Sequence, residues 1–77
     1  MLVVYEFEVF EGDEYYIACP FDMDGATQGA TYEEVAEMAV DWLRLDIEHR
    51  AMHGLPIPSP TFRNSTQHGG ERMLVAV

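Results

Sequence analysis

The chain contains no lysine, and its four basic residues are all arginines set against fourteen Asp and Glu residues. The formal net charge of the 77 residues is therefore −10 with histidine neutral. A nucleic-acid-binding surface needs clustered Lys or Arg to displace the counterions of the phosphate backbone. The arginines are scattered, so the composition argues against nucleic acid and anionic lipid as direct partners and favours a basic partner.

Cysteine occurs once, at Cys19, which excludes an internal disulfide and a multi-cysteine zinc or iron–sulfur site. A lone cysteine also favours a reducing, cytoplasmic location. No apolar run approaches the roughly 18 residues of a membrane-spanning helix. The length predicts a single domain, 1–77. A monomer this small buries only about 60% of its unfolded surface, so we expect self-association.

Hydrophobic patterning predicts the element order β-β-(β)-α-β. Strict alternation over residues 2–10 indicates a strand that sends one face to the core and leaves Glu6 and Glu8 on a solvated face. The other predicted strands are 14–19, a short 26–28 and 72–77. Because residues 72–77 are nearly all apolar, the last strand is predicted to lie in a central or parallel position in the sheet. Residues 55–60 predict an extended connector, and 61–70 predict a polar, mobile segment.

One long helix is predicted between the third strand and the connector. Thr31 and Glu34 have capping-box spacing, in which Thr31 accepts from the N3 amide and Glu34 reaches back to the Thr31 amide. The helix should run to about His53, because Gly54 suits a left-handed C-terminal residue and Pro56 forbids continuation. Two further residues, Gly25 and Gly29, are interpreted as structural. The predicted fold class is α/β (α+β), with this helix on a three- to four-stranded sheet.

Apolar residues cover more than half of the helix circumference, whereas a surface helix needs a stripe of roughly 100°. This width predicts that the helix packs on the sheet and also on a copy of itself. The expected self-association residues are Met38, Trp42, Leu45 and His49. Near the helix end, Asp46 and Arg50 are spaced to form an i,i+4 ion pair.

Metal-binding patterns in the chain are incomplete. Residues 22–25 begin like a calcium loop, but Thr27 stands where such a loop needs glycine. His49 and His53 have zinc-ligand spacing on one helix face but lack a clear third ligand. The sequence therefore predicts no metal site, no cofactor and no catalytic residue.

Three segments together resemble the HicB family of antitoxins, the partners of the HicA messenger-RNA-cleaving toxins. Residues 15–20 resemble the family's second strand, which ends in proline. Residues 27–35 resemble its Gln-Gly-x-Thr-x-Glu-Glu-Ala helix start, and residues 54–60 resemble the Gly-x-x-Ile-Pro-x-Pro after the helix. Residues 20–25 depart from the family's Pro-Asp-Leu-Pro-Gly turn.

The resemblance implies a partial ribonuclease H-like fold without that enzyme's activity, and dimers or higher oligomers. It also implies a small, basic, double-stranded-RNA-binding-like toxin as partner. Many relatives add a DNA-binding domain; this chain ends at Val77, so operator binding is not expected.

We therefore expect a non-enzymatic, HicB-like antitoxin domain that neutralises a basic RNA-cleaving toxin by steric and electrostatic occlusion. The expected partner contacts lie on the first strands and the following loop: Glu6, Glu8, Tyr16, Asp22, Asp24 and Gln28. One alternative is an orphan self-associating structural or regulatory domain. Another is a metal-dependent hydrolase built on Glu6, Glu8 and the loop aspartates.

Overall fold

The computed structural model describes residues 2–77 and contains four strands and one helix in the order β-β-β-α-β. The elements are β1 (Val4–Glu11), β2 (Tyr16–Pro20), β3 (Thr27–Gly29), α1 (Tyr32–Met52) and β4 (Glu71–Ala76). The strand order in the sheet is β3-β2-β1-β4, and every neighbouring pair is antiparallel. The predicted α+β architecture is confirmed.

The core lies between α1 and one face of the sheet. Alternation along β1 buries Tyr5, Phe7 and Val9 on that face, as the period of two predicts. The helix contributes residues spaced four apart, Val35, Ala39 and Leu43, all with 0% exposure. The remaining core residues are Ala18, Met23 and Val75. The opposite face of the sheet is called the outer face below.

The predicted central or parallel position of the last strand is wrong. Strand β4 is an edge strand antiparallel to β1, with Val4 opposite Ala76 and Val9 opposite Glu71. The hairpin between β1 and β2 already occupies the other side of β1, so only its outer edge is free. The apolar run of β4 is accordingly split, because Val75 is buried and Leu74 is 64% exposed.

Both ends of the helix are closed by local hydrogen bonds. The Glu34 amide donates to the Thr31 hydroxyl at 3.1 Å, and the Glu34 carboxylate accepts from the Ala30 amide at 3.0 Å, one residue before the predicted donor. At the other end Gly54 has φ = 63° and the Leu55 amide donates to the Arg50 carbonyl at 2.8 Å. This is the Schellman arrangement, which satisfies carbonyls that the helix end leaves free.

Two glycines allow close packing around the helix. A Cβ on Gly29 would lie 2.5 Å from the Val35 amide nitrogen, so the missing side chain lets β3 approach the helix backbone. Gly25 has φ = 141° and lies against the Trp42 ring. That ring also meets Phe7 edge-on at 6.0 Å between ring centroids.

Candidate functional site

The carboxylates of Glu6 and Glu8 are buried on the outer face of the sheet, with 5% and 2% exposure. The prediction of a solvated strand face is therefore wrong for these two residues. Residues 61–70, called the strap below, donate hydrogen bonds to both carboxylates. A buried carboxylate is costly unless donors replace its lost water, and the strap supplies those donors.

Glu6 is held by the first half of the strap. Its carboxylate accepts from the Arg63 amide at 3.0 Å, the Asn64 amide at 2.8 Å and the Asn64 side-chain amide at 3.0 Å. Arg63 has φ = 60°, a left-handed conformation uncommon for residues other than glycine. Such a turn points successive backbone amides toward one anion, which here is a side chain of the same protein.

Glu8 is held in the same way by the second half of the strap. The amide of Gln67 donates to its carboxylate at 2.8 Å, and the amides of His68 and Gly70 each donate at 2.9 Å. The left-handed turn in this half is at Gly69, with φ = 69°. Glu8 thus fixes the part of the strap that leads into β4.

These hydrogen bonds set the charge state of both carboxyl groups. Burial is the largest single influence and raises the pKa of Glu6 and of Glu8, but the strap donors together outweigh it. The pKa of each group consequently lies below its ordinary value of 4.5, and both are ionised at neutral pH. Each carboxylate accepts three strap hydrogen bonds, which use most of its acceptor capacity in this conformation.

The start of the strap is tied to the loop after β2. Asp22 accepts from the Thr61 amide at 2.9 Å and from the Thr61 hydroxyl at 2.5 Å. Just before the strap, the Tyr5 hydroxyl donates to the Pro58 carbonyl. The strap therefore follows a defined path, in contrast to the mobile segment that its polar composition predicts.

The strap separates the six predicted partner contacts into two groups. Glu6, Glu8 and Asp22 accept hydrogen bonds from the strap within the chain. Asp24 and Gln28 are exposed, and Tyr16 is half-buried with its ring edge-on to Tyr32 at 6.2 Å. The strand face around Glu6 and Glu8 is thus closed to a partner in this conformation.

The predicted self-association residues also differ in their surroundings. Trp42 packs against the core of its own chain, so it does not belong to a free apolar face. Met38 is half-buried, Leu45 is 66% exposed, and His49 is exposed with its ring 4.4 Å from that of His53. Much of the helix's wide apolar surface is therefore covered by its own sheet and loops.

Cys19 is half-buried on β2 directly opposite Glu8. Burial and, to a lesser degree, the negative charge of Glu8 raise the pKa of its thiol above the ordinary value of 9.0. The thiol is protonated at neutral pH, and the protonated form is a weak nucleophile. Cys19 accordingly has the environment of a structural cysteine.

The antiparallel register brings exposed acids from distant parts of the sequence to one end of the sheet. Glu11 lies opposite Tyr16, Tyr16 lies opposite Gly29, and Glu71 lies opposite Val9. The hairpin turn, the start of the helix and the start of β4 therefore meet there. This region, called the acidic end below, carries six exposed carboxylates: Glu11, Asp13, Glu14, Glu33, Glu34 and Glu71.

An open depression of about 450 Å³ lies at the acidic end. Its lining includes Glu11 and Glu71, the edge-on pair Tyr16 and Tyr32, and the stacked rings of Phe10 and His68, whose centroids are 4.2 Å apart. Aromatic faces and carboxylates both attract cations. Sequence reasoning identified Tyr16 but not the other residues of this depression.

Comparisons of the chain with protein-family models, with curated proteins and with solved structures found no match. The HicB resemblance accordingly stays a prediction. Within residues 2–77, no helix has the length and apolar character needed to cross a membrane. In the same part of the chain, no three His, Cys, Asp or Glu side chains are grouped as metal ligands.

Proposed function

We propose that this chain is a non-catalytic binding domain of the HicB antitoxin type. In this proposal it neutralises a small, basic, RNA-cleaving toxin in the cytoplasm by covering the toxin's RNA-binding surface. The observation that carries the proposal is the acidic end, where six carboxylates are exposed and two of them, Glu11 and Glu71, line an aromatic depression. A surface of this kind attracts a basic protein over long range and speeds its association.

Two of the four arginines are paired with carboxylates outside the acidic end. Arg50 lies 2.7 Å from Asp46 in a half-buried pair, and Arg44 lies 3.6 Å from Asp41 on the helix surface. Arg72 is opposite Glu8 in the sheet, and its charge helps to lower the pKa of Glu6. Arg63 and Arg72, in contrast, line one open pocket together with Glu71, one of the six carboxylates of the acidic end.

The strap shifts the proposed contact surface away from the strand face. Since Glu6 and Glu8 are held internally, Glu11, Glu14 and Glu71 replace them as the proposed charged contacts. Tyr16 and Gln28 remain in the proposal, because Tyr16 lines the depression and Gln28 borders a neighbouring one beside the hairpin turn. The β-β-β-α-β order agrees with the partial ribonuclease H-like fold that the HicB resemblance implies.

The direct biological test is co-expression with a small basic protein encoded in an adjacent reading frame. We expect that protein alone to arrest bacterial growth and this chain to restore it, because occlusion of the RNA-binding surface needs only complex formation. The control is the same plasmid with an early stop codon in this chain. The proposal fails if neither adjacent frame encodes a small basic protein, or if growth arrest is the same with and without the chain.

A self-associating structural domain is the second candidate function, and the exposed apolar helix surface favours it. Leu45 and Met52 are 66% and 82% exposed, and their i,i+7 spacing places both on one face of α1. We expect a homodimer that Leu45→Glu converts to a monomer without unfolding, since this side chain is not part of the core. Light scattering after size-exclusion chromatography measures both masses. Equal masses for wild type and Leu45→Glu would rule out this helix interface.

A further inference from the structure

The depression at the acidic end combines the two kinds of group that recognise a planar cation. Glu11 and Glu71 belong to different strands, and both contribute to the lining of one depression. Tyr16 and Tyr32 contribute two rings at nearly right angles, with an interplanar angle of 88°. Cations bind over aromatic faces within about 6 Å of the ring centroid, and carboxylates accept their hydrogen bonds.

The strap builds the remaining wall of the depression. His68, Gly69 and Gly70 line it, and the amides of His68 and Gly70 donate to the Glu8 carboxylate behind them. Gly70 lies so close to β1 that a Cβ there would collide with the Val9 carbonyl oxygen. The wall is therefore fixed from within the chain before any ligand arrives, which lowers the entropic cost of binding.

We propose that this depression is the binding site for one arginine side chain of the basic partner. The guanidinium stacks on a tyrosine ring, and Glu11 and Glu71 accept its N–H groups. The identity of the partner rests on the proposed function, whereas the preference for a guanidinium rests on the depression itself. Its volume of about 450 Å³ lies within the range of about 300–1,000 Å³ typical of small-ligand sites.

Arginine fits these groups better than lysine does. A guanidinium is planar, stacks on aromatic rings and carries five N–H donors, so it can contact a ring face and a carboxylate at once. The lysine ammonium is a strongly hydrated point charge, which gains less from an aromatic face at a water-exposed site. The depression should therefore distinguish two ligands of equal charge.

The test is a titration of the ¹⁵N-labelled chain followed by NMR. The probes are N-acetyl-arginine amide and, as a matched cation, N-acetyl-lysine amide. We expect the arginine probe to bind in the millimolar range and to shift the amide signals of Tyr16, Tyr32, Gly70 and Glu71. The lysine probe should bind more weakly by about two- to fivefold, the worth of one exposed cation–π contact.

Two variants connect the binding to the named groups. Tyr32→Leu and Glu71→Gln alter exposed residues of the depression, and each should weaken arginine binding at least twofold, whereas Glu37→Gln on the exposed helix face should not. Unchanged dispersion of the remaining amide signals shows that each variant is folded. The inference is overturned if both probes bind equally, if the shifts follow the helix face instead, or if neither variant weakens binding.

The titration and the growth test fail independently of each other. Arginine binding at the depression without growth rescue would remove the proposed toxin partner and leave the cation site. Growth rescue with no arginine-specific shifts would remove the cation site and keep the toxin partner. Recognition of the toxin would then lie elsewhere on the chain.

Discussion

Replacing Glu8 by glutamine should lower the free energy of unfolding by about 2 kcal/mol. In a domain of this size that corresponds to a fall in melting temperature of roughly 10 °C. The ionised carboxylate accepts from three strap amides at 2.8–2.9 Å, and glutamine turns an NH₂ group toward some of those donors. Thermal unfolding followed by circular dichroism measures the change.

Glu37→Gln is the matched control for this prediction. Glu37 is exposed on the helix, and its replacement removes the same single charge from the net −10. An exposed substitution of this kind should change the free energy of unfolding by no more than about 0.5 kcal/mol. Equal melting temperatures for the two variants would show that the strap does not stabilise the fold through Glu8.

The same comparison has a defined pH dependence. The folded-state pKa of Glu8 lies below its ordinary value of 4.5, so its contribution is complete above pH 4.5 and is lost as the pH falls through the folded-state pKa. The stability difference between wild type and Glu8→Gln should therefore be constant near neutral pH and shrink below pH 4.5. The difference is the useful quantity, because protonating the many other acids changes the stability of both proteins.

Neutralising three carboxylates at the acidic end should weaken binding of the basic partner by about tenfold or more at low salt. The variant combines Glu11→Gln, Glu14→Gln and Glu71→Gln, all at exposed positions. It removes charge from the proposed contact surface and leaves the core and the strap unchanged. Most of the loss should come from the association rate, because long-range attraction acts before contact.

A second triple variant separates the location of charge from its amount. It combines three substitutions on the exposed face of α1 and also removes three negative charges: Glu37→Gln, Asp41→Asn and Glu48→Gln. We expect this variant to keep most of the wild-type affinity. If both triple variants weaken binding equally, only the net charge matters and the acidic end is not the contact surface.

Local patterns in the sequence were sufficient to predict the strands and the helix, but not the path of the strap. The alternation in β1 and the Thr31–Glu34 capping box both depend on residues only a few positions apart. Both are present in the structure, except that the Glu34 carboxylate accepts from the Ala30 amide and not from that of Thr31. The donors to Glu6 and Glu8 are mostly backbone amides 57–62 residues further along the chain. Backbone amides leave no residue-type signal, and the left-handed turn at Arg63 lacks even a glycine to mark it.

The acidic end depends in turn on register and strand order. Glu11 and Glu71 are 60 positions apart, and they approach only because β4 pairs antiparallel with β1. A parallel or central β4, as its apolar run predicted, would have placed Glu71 elsewhere. The sequence shows carboxylates at the ends of several predicted elements. Predicting that they lie close together also requires knowing that β4 pairs with β1.

The most direct test of the binding proposal is the affinity of the purified chain for the adjacent-frame basic protein as salt is raised. Isothermal titration calorimetry should give a dissociation constant that increases steeply between about 0.05 and 0.5 M salt, because the Debye length shortens over this range. The acidic-end variant should show a shallower dependence, and the helix-face variant should follow the wild type. An affinity that stays the same across this range in all three proteins would contradict charge-guided recognition by the acidic end.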